Sequence, residues 1–491
     1  MSFSADSSQK RLPLLERLRS RAAQPDAAFY APGHKRGQGI PDALAHLLGP
    51  SVFPADLPEL PELDNLFAPQ GVIAEAQNLA AEAFGAQRTW FLANGSTSGI
   101  IAAILATCNS GDKIILPRNS HQSAIAGLIL SGAIPIFIPP QYDPAIDLVL
   151  SVTPEAVEQA LKQNSDAKAV MVVYPTYHGI CCDLAAIAQL AHRHNIPLLA
   201  DEAHGAHFAF HRDLPDSAIA AGADISVQST HKLLGAMTQA SMLHLQGDRI
   251  DPQRLALSLQ LVQSTSPSYL LLASLDAARQ QVALQGEALM SRTLELSDRA
   301  SAEIAQIPGL SVLQTPPHLQ PGFADRDRTR LVVFTSQLGL TGFEVDEILS
   351  QQLGVTAELP MLHHIAFIIT LGNTAADIEK LIQGFQKLAQ TPRHPLSPSP
   401  PLPVTPSPRH PLSPREAFFA ATETLPLEET AGRISAELVC PYPPGIPLLL
   451  PGEAIARSAL NDLQQILASG GIVSGCSDPS LKTLKIIKHQ A

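Results

Sequence analysis

Between residues 72 and 245 the chain alternates apolar runs of strand length with helical patterns, and this alternation restricts the possible folds more than any other feature. Thr89–Asn94, Lys113–Arg118, Ile134–Pro139, Ala169–Pro175, Pro197–Asp201, Ile225–Thr230 and Ala240–Leu245 read as strands. Val72–Gly85, Gly99–Cys108, Pro154–Gln163 and Asp183–His194 read as helices between them. The order predicts an α/β domain whose mainly parallel, seven-stranded sheet is covered on both faces. In such sheets ligands bind beyond the carboxyl ends of the strands. The conspicuous polar residues cluster there, at Asn94–Ser98, Asn119–His121, Asp201–His207 and Ser229–Lys232.

A chain of 491 residues exceeds one ordinary core, and its organisation divides accordingly. Residues 1–71 read as an N-terminal arm and 72–250 as the large domain. Residues 251–390 read as a smaller α+β domain, with helices at Arg254–Val262 and Ser268–Leu296 and strands at Thr329–Phe334 and His364–Thr370. Over 391–414 the composition changes to proline, with RHPLSP occurring twice, which blocks helix and sheet and predicts an extended linker. A last unit over 415–491 holds an expected amphipathic helix near Arg415–Thr422 and the turn-rich run Tyr442–Pro447.

The net charge of -12 argues against a nucleic-acid binder. No apolar run is long enough to span a bilayer, and the first residues lack the apolar core of a signal peptide. Five scattered cysteines without a CxxC pair fit free thiols in a reducing cytoplasm.

Three clusters could carry chemistry. Ala93–Gly99, ANGSTSG, joins a strand to an apolar helix; Ser96, Thr97 and the backbone N–H groups suit an anion, although a plain helix cap and turn explains the same residues. Ala200–His207, ADEAHGAH, puts Asp201 at the end of a buried strand, where a carboxylate needs a partner such as a protonated ring nitrogen. His204 and His207 raise a metal site as the rival reading, but no HExxH signature is present, and no metal is expected. His207 reads as structural. The third cluster, Val227–Ser241, places Lys232 just after a strand, flanked by Ser229 and His231; a desolvated lysine there is a competent Schiff-base former, whereas a lone lysine would ordinarily be a surface ion-pair partner.

Taken in this order, the clusters resemble the fold-type-I pyridoxal 5'-phosphate enzymes. The third resembles the cofactor-attachment signature of the bacterial Orn/Lys/Arg decarboxylases. Pro32–Gly37, Glu62–Leu66, Asn119–Ser123, Pro175–Gly179, Gly432-Arg433 and Tyr442–Pro447 resemble further blocks of that family, so the likeness covers most of the chain except the proline-rich insert. The resemblance implies that Lys232 carries the cofactor as a Schiff base and that Asp201 pairs with its ring nitrogen. His121 would stack on one ring face, Ala203 would pack on the other, and Ser96, Thr97, Ser229 and His231 would hold the phosphate. Without that context His121 reads as a helix-cap histidine. The same blocks contain His204 and Thr176, to which no role is assigned.

The activity implied is α-decarboxylation of a basic amino acid. Arginine is favoured, because the chain resembles shorter, biosynthetic members that supply polyamines and starts almost directly at the Pro-Gly-His-Lys block, without a wing domain. Lysine and ornithine remain alternatives, since one methylene is worth only ~1–3 kcal/mol in a pocket. A fold-type-I aminotransferase or lyase is the more distant rival, and a catalytically silent cofactor-binding protein more distant still. The resemblance also implies a cytoplasmic protein that forms a homodimer or higher homo-oligomer.

Overall fold

The structure is a computed structural model that describes residues 7–316, 318, 320–390, 411–442, 445–468 and 470–488. The linker expected over 391–414 falls almost wholly outside the described residues, as do Pro443 and Pro444 of the turn-rich run.

Seven strands form the central sheet: β1 (Arg88–Leu92), β2 (Lys113–Pro117), β3 (Ile134–Ile138), β4 (Ala169–Val173), β5 (Leu198–Asp201), β6 (Ile225–Gln228) and β7 (Ser241–Leu245). Their spatial order is β1-β7-β6-β5-β4-β2-β3. Only β7 runs antiparallel to its neighbours. Side chains alternate between two cores, as a pleated strand requires. On β2, Ile114 and Leu116 pack with Ile104 and Ile125, whereas Ile115 packs on the opposite face with Val157 and Ile187. Both faces are therefore dry, which explains why the strands are continuously apolar.

The expected strands were each read slightly too long. Asn94, Arg118, Pro175 and Thr230 have already left the ladder, and those departures are the loops that carry polar residues. The helix expected from Gly99 begins at Gly95 and runs to Thr107. Gly-Ser-Thr-Ser has no apolar periodicity to mark it as helical, so the polar cluster lies in the first turn rather than before it.

One helix of 36 residues, Tyr269–Ile304, spans about 54 Å and links the sheet to the smaller unit. It continues beyond the expected Leu296 because Ser297, Ala300 and Ile304 prolong its buried stripe. The smaller sheet is antiparallel, in the order Ser311–Val312, β8 (Arg330–Phe334), β9 (His364–Ile368), Leu359–Pro360. Its two outer strands are two residues each, too short for any period to register.

Near the C-terminus the expected helix is Pro414–Phe419, closed by a capping box between Ser413 and Glu416. Thr422, assigned to the helix from sequence, instead opens strand Thr422–Pro426, which pairs with Thr483–Ile487. Around these strands Leu427, Val439, Leu463 and Ile486 form a separate small core. Among the described residues no helix is long and apolar enough to cross a membrane.

Candidate active site

The carboxyl ends of the parallel strands converge on one cleft. β5 delivers Asp201 and then Ala203 and His204, while β6 delivers Ser229 and the short helix Thr230–Leu233 that carries Lys232. β2 delivers His121, β4 delivers Thr176 and Tyr177, and β1 leads into the helix beginning at Gly95. Ser96, His121, Asp201, Ala203 and Lys232 all line the cleft. Ser229 stands behind them, its Oγ donating to Ser96 Oγ at 2.7 Å. Thr97 is exposed and His231 half-buried, and neither lines the cleft. The Nδ1–H of His231 donates to the Ala240 carbonyl at 3.0 Å.

Asp201 is nearly inaccessible, and its Oδ1 accepts from the Ala203 N–H at 3.2 Å. Burial pushes its carboxyl up to about 6, against the opposing pull of the Lys232 charge. Lys232 is pushed down to about 8, first by burial and then by Arg330. Burial likewise drives His121 down to about 4, which makes its ring neutral at physiological pH. These are the charge properties of a desolvated site.

His121 caps a helix, and its ring also faces the cleft. Its Nδ1 accepts from Ser123 N–H at 3.2 Å and so caps the helix Gln122–Ser131, while its ring lines the cleft. The C-terminal unit closes over it. Gly445, at φ +81°, lies so near that an added Cβ would fall 3.2 Å from His121 Nε2, and Ile446 joins the cleft wall. The Gln122 N–H donates to the Gly445 carbonyl at 3.1 Å. Arg118, one residue past β2, donates to the Pro447 and Leu448 carbonyls and pairs with Glu453 at 2.9 Å.

His204 and His207 do not share a site. His204 Nε2 is 2.9 Å from Lys232 Nζ, and its Nδ1 meets the Arg330 guanidinium. His207 Nε2 instead pairs with buried Asp327 at 3.2 Å, as suits a structural residue. Tyr177 packs against the His204 ring at 4.3 Å between centroids. Sequence reading missed Arg330, Tyr177, Ile446 and Arg118 as parts of the site, and left His204 without a role. Arg330 carried no local signal, because it meets His204 from 98 positions beyond Lys232, whereas Ile446 lies in the Tyr442–Pro447 block, to which no site role was given.

The residues present fit pyridoxal 5'-phosphate. A helix of 13 residues presents its N-terminus beside two linked serine hydroxyls, suited to a phosphate. A lysine of weakened basicity suits an aldehyde, and a buried carboxylate with spare acceptor capacity suits a ring nitrogen.

The family model described as Orn/Lys/Arg decarboxylase, major domain, matches residues 12–326, and that for the C-terminal domain matches 405–470. The chain is 38% identical to the arginine decarboxylase of Bacillus subtilis over 98% of its length and 99% of that protein's. It is 39% identical to the arginine decarboxylase of Halalkalibacterium halodurans, over 99% of both. Among solved structures, the lysine decarboxylase of Francisella novicida superposes with a TM-score of 0.83 at 22% identity, covering 98% of this chain and 82% of that one. An alanine–glyoxylate aminotransferase from Nostoc shares the fold at a TM-score of 0.51 and 17% identity, over 64% of this chain and 86% of that one. The chain belongs to the Orn/Lys/Arg decarboxylase family and is an amino-acid decarboxylase of the fold-type-I α/β class.

Proposed function

We propose that the protein decarboxylates arginine to agmatine and CO2 with pyridoxal 5'-phosphate bound at Lys232. The observation that carries this reading is the convergence of Lys232, Asp201 and His121 on one cleft. Full-length relatives named arginine decarboxylase, at 38–40% identity, support the choice of substrate.

When bound, the cofactor supplies an electron sink for the pair left behind as the carboxylate departs as CO2. The protein's task is then placement and proton control. Lys232 would hold the group through its amine, and Asp201 would keep the ring nitrogen protonated. His121 and Ala203 would bracket the ring. Ser96 would take the phosphate, with Thr97, Ser229 and His231 supporting it. The neutral His121 ring adds bulk without a competing charge. With substrate bound, Lys232 Nζ would take up a proton and return it to the α-carbon, its lowered basicity making that ammonium a better acid than an ordinary lysine's. The segment around Ile446 would limit water at the reacting carbon.

The family resemblance further suggests a cytoplasmic homodimer or higher homo-oligomer that feeds polyamine synthesis. Incubation with arginine, lysine and ornithine, with amine products identified by mass, tests the activity. Agmatine with equimolar CO2 is expected. Cadaverine or putrescine as the main product would reassign the substrate, and a keto acid would reassign the reaction.

A further inference from the structure

We infer that Arg330 is a positioning residue: it fixes His204 as the tautomer protonated on Nε2, and this N–H favours the uncharged form of the Lys232 amine in the cofactor-free protein. The consequence for catalysis rests on Lys232 being the cofactor's anchor, whereas the protonation pattern itself does not.

The argument follows from donor and acceptor inventories. Arg330, the first residue of β8, is buried at 1% exposure. A guanidinium does not lose its proton in proteins and offers donors only. Its contact with His204 Nδ1 therefore requires Nδ1 to accept. An imidazolium is excluded, because it would set N–H against N–H, and so is the tautomer protonated on Nδ1. What remains is a neutral ring with its hydrogen on Nε2. That atom is 2.9 Å from Lys232 Nζ. An ammonium has three donors and no lone pair, so it cannot accept this hydrogen. A neutral amine can.

The arrangement is held from several sides. Tyr177 packs on the His204 ring. Gly179, at φ +80°, lies against Arg330 so closely that a Cβ there would fall 2.8 Å from both Arg330 Cβ and Cγ. Asp327, which pairs with His207, has Oδ2 3.8 Å from Arg330 Nε and supplies the compensating charge. The groups acting on Lys232 come from every side of the cleft. Asp201 from β5 and Glu358 beside the smaller sheet favour its charged form. Burial and Arg330 oppose it, whereas the face of Tyr177, 5.3 Å from Nζ, favours the charged form. His204 itself is surrounded by Lys232, Arg330, His121 and His231 and is driven well below the usual histidine range, chiefly by burial. The N–H of His204 adds a hydrogen bond that only the neutral amine can accept, which acts on Lys232 in the same direction as burial.

The test uses the full-length protein freed of cofactor, with native folding verified by recovery of activity on reloading. Competitive labelling with acetic anhydride, read as mass on the Lys232 peptide across pH, gives the titration of this amine. Histidine-labelled protein, studied by 15N NMR, gives the tautomer, with His204 assigned by its absence from the H204F spectrum. The expected results are an Nε2–H signal for His204 and a Lys232 inflection at about 8. In H204F that inflection rises by a unit or more, a tenfold or larger loss of labelling at pH 7. R330M behaves like H204F and R330K like the wild type. An Nδ1–H or doubly protonated His204 at pH 7 overturns the inference. So does an H204F inflection equal to that of the wild type, which would reduce Arg330 to a distant charge. The NMR and H204F results stand even if R330M fails to fold.

Discussion

Substitution of Arg118 by methionine should open the C-terminal wall of the cleft. The guanidinium satisfies the Pro447 carbonyl at 2.7 Å, the Leu448 carbonyl at 3.1 Å and Glu453 Oε2 at 2.9 Å. Glu453 is 4% exposed at its side chain and Arg118 is 18% exposed. Removing one partner of a buried pair costs about 3–5 kcal/mol. Water can reach Arg118, so the low end applies, and about 3 kcal/mol corresponds to on the order of 100-fold in the opening equilibrium. Hydrogen exchange of peptides covering 445–453 should therefore accelerate by about two powers of ten, while the helix Tyr269–Ile304 stays protected.

The pH dependence of this effect has a definite sign. Burial raises the Glu453 carboxyl and Arg118 opposes that rise, so R118M leaves it raised further. A raised acid binds its proton more tightly when folded, so its neutral form is compatible with the fold and stability falls as pH rises through the folded value. The R118M deficit should be smaller at pH 5 than at pH 8, and R118M/E453Q should regain much of it. Unchanged protection of 445–453, or a deficit that grows toward acid, would refute the latch.

Three further substitutions test the site. K232A should abolish turnover and the borohydride-reducible adduct, with thermal stability near that of the wild type because the side chain is only half-buried; turnover surviving at wild-type rate would dismiss the lysine. D201A should retain part of its cofactor, measured by absorbance, while losing on the order of 100-fold in kcat, the scale of one electrostatic stabiliser; an unchanged kcat removes Asp201 from the mechanism. G445A forces φ +81° on a residue with a Cβ, at a cost of about 1–2 kcal/mol, and presses on His121. Its kcat should fall with cofactor content retained, and equal kcat would show that the C-terminal wall does not bear on the ring.

Much of the site was legible because its parts follow strands in sequence. Asp201 and Lys232 each stand at or just beyond the end of an apolar run, and the alternation of runs and helices predicts a sheet whose strand ends converge. What escaped reading lacks such a local mark. Gly-Ser-Thr-Ser at 95–98 is helical through position, with no apolar stripe to announce it. Arg330 opens an ordinary buried strand, and its meaning arises only where that strand approaches His204. Ile446 and Arg118 acquire a role through contact between units about 330 residues apart in sequence. The strand at Thr422–Pro426 depends on a partner at 483–487, so its first residue, Thr422, reads as the tail of the preceding helix.

The most direct test of the account is borohydride reduction of the cofactor-loaded protein, followed by proteolysis and mass mapping. The peptide containing Lys232 should carry the mass of the reduced pyridoxal phosphate, in about one copy per chain. The modification on a different lysine, or on none, would contradict the assignment.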